Sequence, residues 1–157
     1  MTWRIIAAIA GVLIVLVYAG LSGRWVGTDS GWYLSLQQPP WQPPPIVFGL
    51  IWPYNFIVLI VAAIWLSLNA APRTAIGFLL LIAGSVVFAL IWAYQFYVPH
   101  HLGVAAIALT LAALITVPAV TVAFTERWWL GALLVPYQLW LVIAASLAWG
   151  YRALNPM

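Results

Sequence analysis

The sequence predicts an all-α membrane protein, a bundle of five transmembrane helices. Of its 157 residues, 67% are hydrophobic and 4% are charged, and the mean hydropathy is +1.12. Soluble domains carry about a quarter charged residues, so the composition excludes that class. Five apolar runs are long enough to cross a hydrocarbon core roughly 30 Å thick. Short links separate most of these runs, so we expect one membrane domain over residues 1–157.

Charge and cysteine content exclude several functions. The formal charge of +3 comes from five scattered arginines, whereas nucleic-acid binding needs clustered cations. The chain has no cysteine, which removes disulfides and thiolate chemistry. No charged residue lies within an apolar run, which disfavours ion-coupled transport. The two acids, Asp29 and Glu126, fall on opposite membrane faces by the span count, so one subunit cannot pair them for acid–base catalysis.

The first predicted span covers residues 5–22 and follows Arg4. Its 18 residues are near the minimum for crossing a membrane. A cleavable signal peptide is the alternative, but the run lacks a clear small-x-small cleavage site before a polar mature region. We therefore interpret it as a transmembrane helix.

Residues 32–45, which read WYLSLQQPPWQPPP, form a proline- and tryptophan-rich interruption between the first and second spans. Prolines fix φ and lack an N–H donor, so we expect an ordered extended or turning loop and no helix. Its tryptophans must pack on another part of the molecule. We call these residues the lid, and we expect them to close the bundle on the side that carries His100 and Arg152.

The other four spans are predicted at residues 46–68, 76–98, 103–124 and 129–152. The links between them are short, so consecutive spans are expected to be antiparallel neighbours. The sequence thus predicts an integral, multi-pass membrane protein. The arginines divide three to two between the faces, which is too even to orient the chain by the positive-inside rule, and the particular membrane stays open.

Small and polar residues inside the spans indicate helix packing. Small pairs four residues apart let helices approach closely, either within the bundle or in a homodimer. These pairs are Ala7 and Gly11, Ala89 and Ala93, Ala108 and Ala112, and Ala144 and Ala148. Polar residues within the spans are expected to face the interior and hydrogen-bond between helices. They are Asn55, Ser85, Gln95, Gln138 and Ser146.

Aromatic residues line one face of the fifth span. Three- and four-residue steps place on this face Leu133, Tyr137, Trp140, Ala144, Leu147 and Tyr151. Phe48 and Trp52 lie one turn apart on the second span, and Trp92 lies on the third. Core packing alone explains such a stripe. With the lid beside it, the alternative is a cavity for a flat, largely apolar ligand.

Adjacent histidines follow the third span. His100 and His101 could bind a metal or haem iron, but neighbouring histidines in a loop are more often solvated. The sequence therefore predicts no metal site and no obligatory cofactor.

Two motifs resemble a known family. They consist of Trp32, Tyr33, Leu36, Pro39, Trp41, Pro43, Pro44, Phe48 and Trp52, followed by Leu134, Val135, Pro136, Tyr137, Trp140, Ala144, Leu154 and Asn155. Together they are similar to the translocator protein family, also called tryptophan-rich sensory proteins or the TspO/MBR family. The resemblance covers the chain from Trp32 to Asn155 and implies a five-helix membrane receptor or sensor, often a homodimer.

The resemblance also implies ligands and site residues. The ligands would be porphyrins (tetrapyrroles), cholesterol-like lipids and drug-like molecules, with porphyrin or haem bound as a ligand. Trp52 and Trp140 would line the pocket and take part in porphyrin breakdown, which makes them tentative catalytic residues. The implied ligand-binding residues are Tyr33, Pro43, Phe48, Trp52, Trp92, Trp140, Ala144 and Leu147.

The chain also departs from the family pattern. Gln38 stands where the family commonly has a cation, and Ala89 and Ala148 stand where it usually has asparagine. The motif for cholesterol keeps Arg152 but has Trp149 in place of tyrosine. We therefore expect an altered ligand preference. Two other functions stay open, namely a weak light-dependent porphyrin-degrading enzyme and a structural or assembly protein whose aromatic stripe only packs.

Overall fold

The computed structural model describes residues 2–27 and 29–156, which contain six helices. They are α1 (Thr2–Trp25), α2 (Ser30–Ser35), α3 (Pro45–Asn69), α4 (Pro72–Tyr97), α5 (Leu102–Glu126) and α6 (Trp128–Leu154). All except α2 have 24 to 27 residues and are apolar enough to cross a membrane. The predicted five-helix membrane bundle is confirmed, and the chain is an integral, multi-pass membrane protein.

The first residues of the lid have a different structure from the one predicted. Residues 32–35 belong to α2, whose N-cap Asp29 accepts a hydrogen bond from the backbone N–H of Trp32 at 3.0 Å. Excluding helix here was wrong, because the first proline of the lid is Pro39 and nothing before it prevents one helical turn. Residues 36–44 are non-helical as predicted. Pro45 then begins α3, in the first-turn position that suits proline.

The bundle closes through contacts between both sequential and distant helices. Helix α5 packs between α4 and α6, while α1 packs on α3 and α4, and α3 also contacts α6. Sequential neighbours are therefore antiparallel, as predicted. The largest fully buried side chains include Tyr18, Leu59, Phe78 and Tyr137. The outer faces are apolar as well, as expected for helices that meet lipid.

Small residues bring the helices together within this chain. A Cβ added to Gly11 of α1 would lie 2.6 Å from the Cβ of Ala63 and 2.9 Å from Cδ2 of Leu79. Ala89 and Ala112 are fully buried in the core. These positions therefore serve packing inside the bundle.

Interhelical hydrogen bonds join α4, α5 and α6. The Ser85 hydroxyl donates to the carbonyl of Ala112 at 3.1 Å and lies 2.7 Å from the Thr116 hydroxyl. Gln138 donates to the carbonyl of Ala113 at 3.0 Å. These contacts confirm the expected role for Ser85 and Gln138. Asn55 faces the interior as expected, but its side chain has no hydrogen-bond partner within the described residues, so the interhelical hydrogen bond expected for it was wrong.

Two polar residues were placed wrongly in the interior. Ser146 is exposed on the outer side of α6, where its hydroxyl accepts a hydrogen bond from the Trp41 indole. Gln95 lies at the end of α4, and its side-chain oxygen is 3.1 Å from Nδ1 of His101. Both side chains thus have hydrogen-bond partners toward the lid end of the bundle.

Candidate functional site: an aromatic cavity under the lid

A cavity of about 380 Å³ lies inside the bundle next to the lid. This volume suits one small molecule, at the lower end of the usual range for ligand pockets. Helices α3, α4 and α6 form most of its wall, and Val26, Tyr33 and Gln42 complete it. The residues from the three helices are Phe48, Gly49, Trp52, Trp92, Phe96, Tyr97, Trp140, Ala144, Leu147, Ala148 and Tyr151.

Most of the residues implied as ligand contacts meet in this cavity. Seven of the eight line it, namely Tyr33, Phe48, Trp52, Trp92, Trp140, Ala144 and Leu147. They come from four separate helices, so the bundle itself brings them together. The aromatic stripe of α6 therefore faces a cavity over part of its length, in addition to packing in the core.

Pro43 does not line the cavity. It lies in an outer depression with Pro44 and Gln38, and this depression shares Tyr33 and Gln42 with the cavity. Neighbouring side chains of an extended backbone point in different directions. Gln42 takes the inner direction, which leaves Pro43 on the outer side.

Trp52 and Trp140 form the deep end of the cavity. The rings of Trp52 and Trp140 meet edge to face with their centroids 6.5 Å apart, and Phe48 meets Trp140 in the same way at 5.1 Å. These geometries are the favourable ones for aromatic pairs. The buried indole N–H groups of Trp92 and Trp140 have no hydrogen-bond partner within the described residues. Each is therefore an unused donor in the cavity wall.

Helix α6 runs along the length of the cavity. Ala144 follows Trp140 by one turn, and its small side chain leaves space beside the indole. Tyr151 lies eleven residues beyond Trp140, which corresponds to about 16 Å along the helix axis. The cavity thus has an indole-rich end and, near the lid, an end with tyrosine hydroxyls and an amide.

The lid is fastened to the last turns of α6. A Cβ on Gly150 would lie only 2.8 Å from Cγ of Pro39 and from Cζ2 of Trp41. The Asn155 side chain accepts a hydrogen bond from the backbone N–H of Gln37 at 2.9 Å and donates to its carbonyl at 3.1 Å. These contacts confirm that the lid closes on the end of the bundle that carries Arg152.

Both histidines are engaged by neighbouring side chains. The His100 ring stacks on Trp32 with centroids 3.7 Å apart, and its Nε2 is 3.8 Å from Oδ2 of Asp29. His101 is paired with Gln95 as described above. The turn between α4 and α5 therefore holds α2 and the start of the lid in place.

Five wall residues were not identified from the sequence, namely Val26, Gln42, Gly49, Phe96 and Tyr97. Phe96 lies one turn beyond Trp92 on the same helix face, so continuing that face would have found it, whereas Tyr97 lies further round the helix. Gln42 carried no comparable signal, since its inward direction depends on how the lid folds.

The fold and the site define an integral membrane protein with an aromatic cavity under a proline-rich lid. Residues 8–154 match the sequence model of the TspO/MBR family, and the chain belongs to this family. It is 27% identical to protein CrtK of Rhodobacter capsulatus, over 88% of this chain and 86% of the relative. It is 30% identical to the tryptophan-rich protein TspO of Bacillus cereus, over 81% and 82%. It is 31% identical to the translocator protein of Sus scrofa, over 89% and 85%.

Proposed function

We propose that this chain is a membrane receptor or sensor that binds porphyrins and other flat hydrophobic molecules in the aromatic cavity. The observation that carries the proposal is the cavity itself, about 380 Å³ in volume and walled by indole, phenyl and phenol rings. Such rings stack on or meet the edge of an aromatic macrocycle, which contributes on the order of 1 kcal/mol per contact beyond area burial. Relatives named translocator protein and tryptophan-rich sensory protein support the same class.

The proposal also covers the partners of the receptor, namely membrane lipid, a sterol-like lipid and a second copy of the chain. Membrane lipid covers the apolar outer faces, and a sterol-like lipid is a second ligand class, although the motif for it is incomplete at Trp149. A homodimer of the kind implied by the family would bring two such outer faces together, and crosslinking in native membranes checks it. Porphyrin or haem acts as a ligand in this scheme.

Porphyrin titration with matched variants of α6 tests the proposed site. Ala144→Phe fills space next to Trp140, and overpacking of about 1–3 kcal/mol corresponds to a loss of affinity of roughly 5- to 150-fold. Val142→Phe is the control, because Val142 lies on the same helix and is 52% exposed on its outer face. Binding is followed by quenching of tryptophan fluorescence. Equal affinity in the Ala144→Phe and Val142→Phe variants contradicts binding in this cavity.

The Trp52–Trp140 pair supports a second function, light-dependent porphyrin breakdown. Both indoles line the cavity, with centroids 6.5 Å apart. An indole is oxidisable, so either ring can donate one electron to a light-excited porphyrin, and dioxygen then takes this electron from the porphyrin anion to form superoxide. The indole radical cation regains its electron from the neutral porphyrin, and superoxide combines with the resulting porphyrin cation, so the net change is addition of one O2 to the macrocycle. In this proposal the two tryptophans are catalytic residues as well as ligand contacts.

A further inference from the structure

Three of the polar, uncharged side chains at the lid end of the cavity contact one another and come from three separate segments. Tyr33 belongs to α2, Gln42 to the lid and Tyr151 to α6, and all three line the cavity. The Tyr151 hydroxyl donates to the side-chain oxygen of Gln42 and lies 3.1 Å from the Tyr33 hydroxyl. The Gln42 amide donates to the Tyr33 hydroxyl at 3.4 Å. We call this closed set of contacts the polar ring.

Counting protons shows what the polar ring offers to a ligand. A phenol has one proton to donate and a side-chain amide has two. Tyr151 has one proton for its contacts with both Gln42 and Tyr33, and one amide N–H of Gln42 serves the Tyr33 hydroxyl. The second amide N–H of Gln42 has no partner within the described residues. The ring therefore presents a spare donor, which matches a hydrogen-bond acceptor.

The cavity wall discriminates between charged and neutral acceptors. None of the 14 described residues that line it is charged. An ionised carboxylate at the polar ring would lose much of its hydration and find no cation, so its burial is strongly unfavourable. The carbonyl of an ester, ketone or amide accepts the same hydrogen bond without that penalty.

We infer that the polar ring selects the ligand by charge, holding a neutral acceptor group of a flat apolar molecule and disfavouring a carboxylate at the same place. This inference rests on the proposed function, because it assumes that the ligand occupies the cavity. Gln42 is then the specificity-determining residue, since it supplies the spare donor. Among porphyrins, the neutral forms with esterified carboxyl groups are preferred at this position over the free acids.

A matched pair of probes tests the inference. Protoporphyrin and its dimethyl ester are titrated in one detergent against the parent chain, Gln42→Lys and Gln37→Lys, and the ratio of the two Kd values is compared. Differences in how the probes partition into detergent are the same for every protein and cancel in this comparison. Gln37 is the control, because its side chain is exposed on the lid and lies outside the cavity lining.

A cation at position 42 should favour the acid. The ratio of the acid Kd to the ester Kd is expected to fall by about tenfold in Gln42→Lys, as for a gained hydrogen bond to a charged group, and to stay constant in Gln37→Lys. Gln42→Glu should raise the ratio and keeps the test available if the lysine variant does not fold. If substitutions at position 42 leave the ratio unchanged, or if Gln37→Lys changes it equally, the inference is overturned. Gln42 would then only hold the lid in place. If neither probe binds to the parent chain, the proposed function itself is refuted.

Discussion

Replacing Gly150 by alanine tests whether the lid controls access to the cavity. The added Cβ would lie 2.8 Å from Cγ of Pro39 and Cζ2 of Trp41, and 3.1 Å from Cβ of Pro39. Carbon atoms pack best at about 3.5–4.0 Å, so these distances are severe overlaps. Pro39 is buried and its ring is rigid. The clash is therefore relieved by moving the lid away from α6.

The expected loss of ligand affinity follows from the free-energy cost of overpacking. Added methyl groups in packed sites destabilise by about 1–3 kcal/mol. If only the closed lid retains the ligand, that free energy appears as a loss of affinity of roughly 5- to 150-fold. Helix α6 itself is not weakened, because alanine has a better helix propensity than glycine by about 1 kcal/mol. The substitution thus separates lid closure from helix stability.

The assay combines a porphyrin titration with limited proteolysis of the lid. Gly77→Ala is the control, since a Cβ at Gly77 of α4 meets no atom of the described residues within 4 Å. We expect Gly150→Ala to bind more weakly than the control and to be cleaved faster by chymotrypsin after Leu36 or Trp41. If both variants have the same affinity and the same cleavage rate, the lid does not hold the ligand in the cavity.

Two further predictions concern the tryptophan pair and the close approach of α1 to α3. Trp52→Phe and Trp140→Phe should each slow the light-dependent loss of porphyrin absorbance while binding persists, and the double variant should abolish that loss. A double variant as fast as the parent would assign the chemistry to the dye and oxygen alone. Gly11→Ala should destabilise the bundle by about 1–3 kcal/mol, because its Cβ would lie 2.6 Å from that of Ala63. A Cβ at Gly20 meets nothing within 4 Å in the described part of the chain, so equal melting temperatures for Gly11→Ala and Gly20→Ala would contradict the packing described for α1.

The five spans could be predicted because apolar length is a local property of the sequence. The helices run a few residues beyond the predicted spans, for example to Trp25 in α1 and to Leu154 in α6. Polar and aromatic residues at the membrane interface continue a helix without adding to the apolar run. Helix ends are accordingly the part of the bundle that hydropathy defines least well.

The aromatic half of the site was predictable and the polar half was not. Trp140, Ala144 and Leu147 share a face through helical spacing alone, so their common side was readable from the sequence. The contact between Tyr33 and Tyr151 joins residues 118 positions apart, and it depends on how the lid crosses α6. The inward direction of Gln42 likewise follows from tertiary folding, which no local pattern encodes.

The most direct test of the central claim uses the indole N–H resonances of the 11 tryptophans in an NMR titration with porphyrin. A bound macrocycle shifts nearby resonances strongly through its ring current, and single Trp→Phe variants assign them. We expect large shifts for the cavity residues Trp52, Trp92 and Trp140. Trp65 and Trp129, which pair at the opposite end of the bundle with centroids 5.8 Å apart, should not move. Shifts confined to exposed tryptophans such as Trp128, with none in the cavity, would contradict the account.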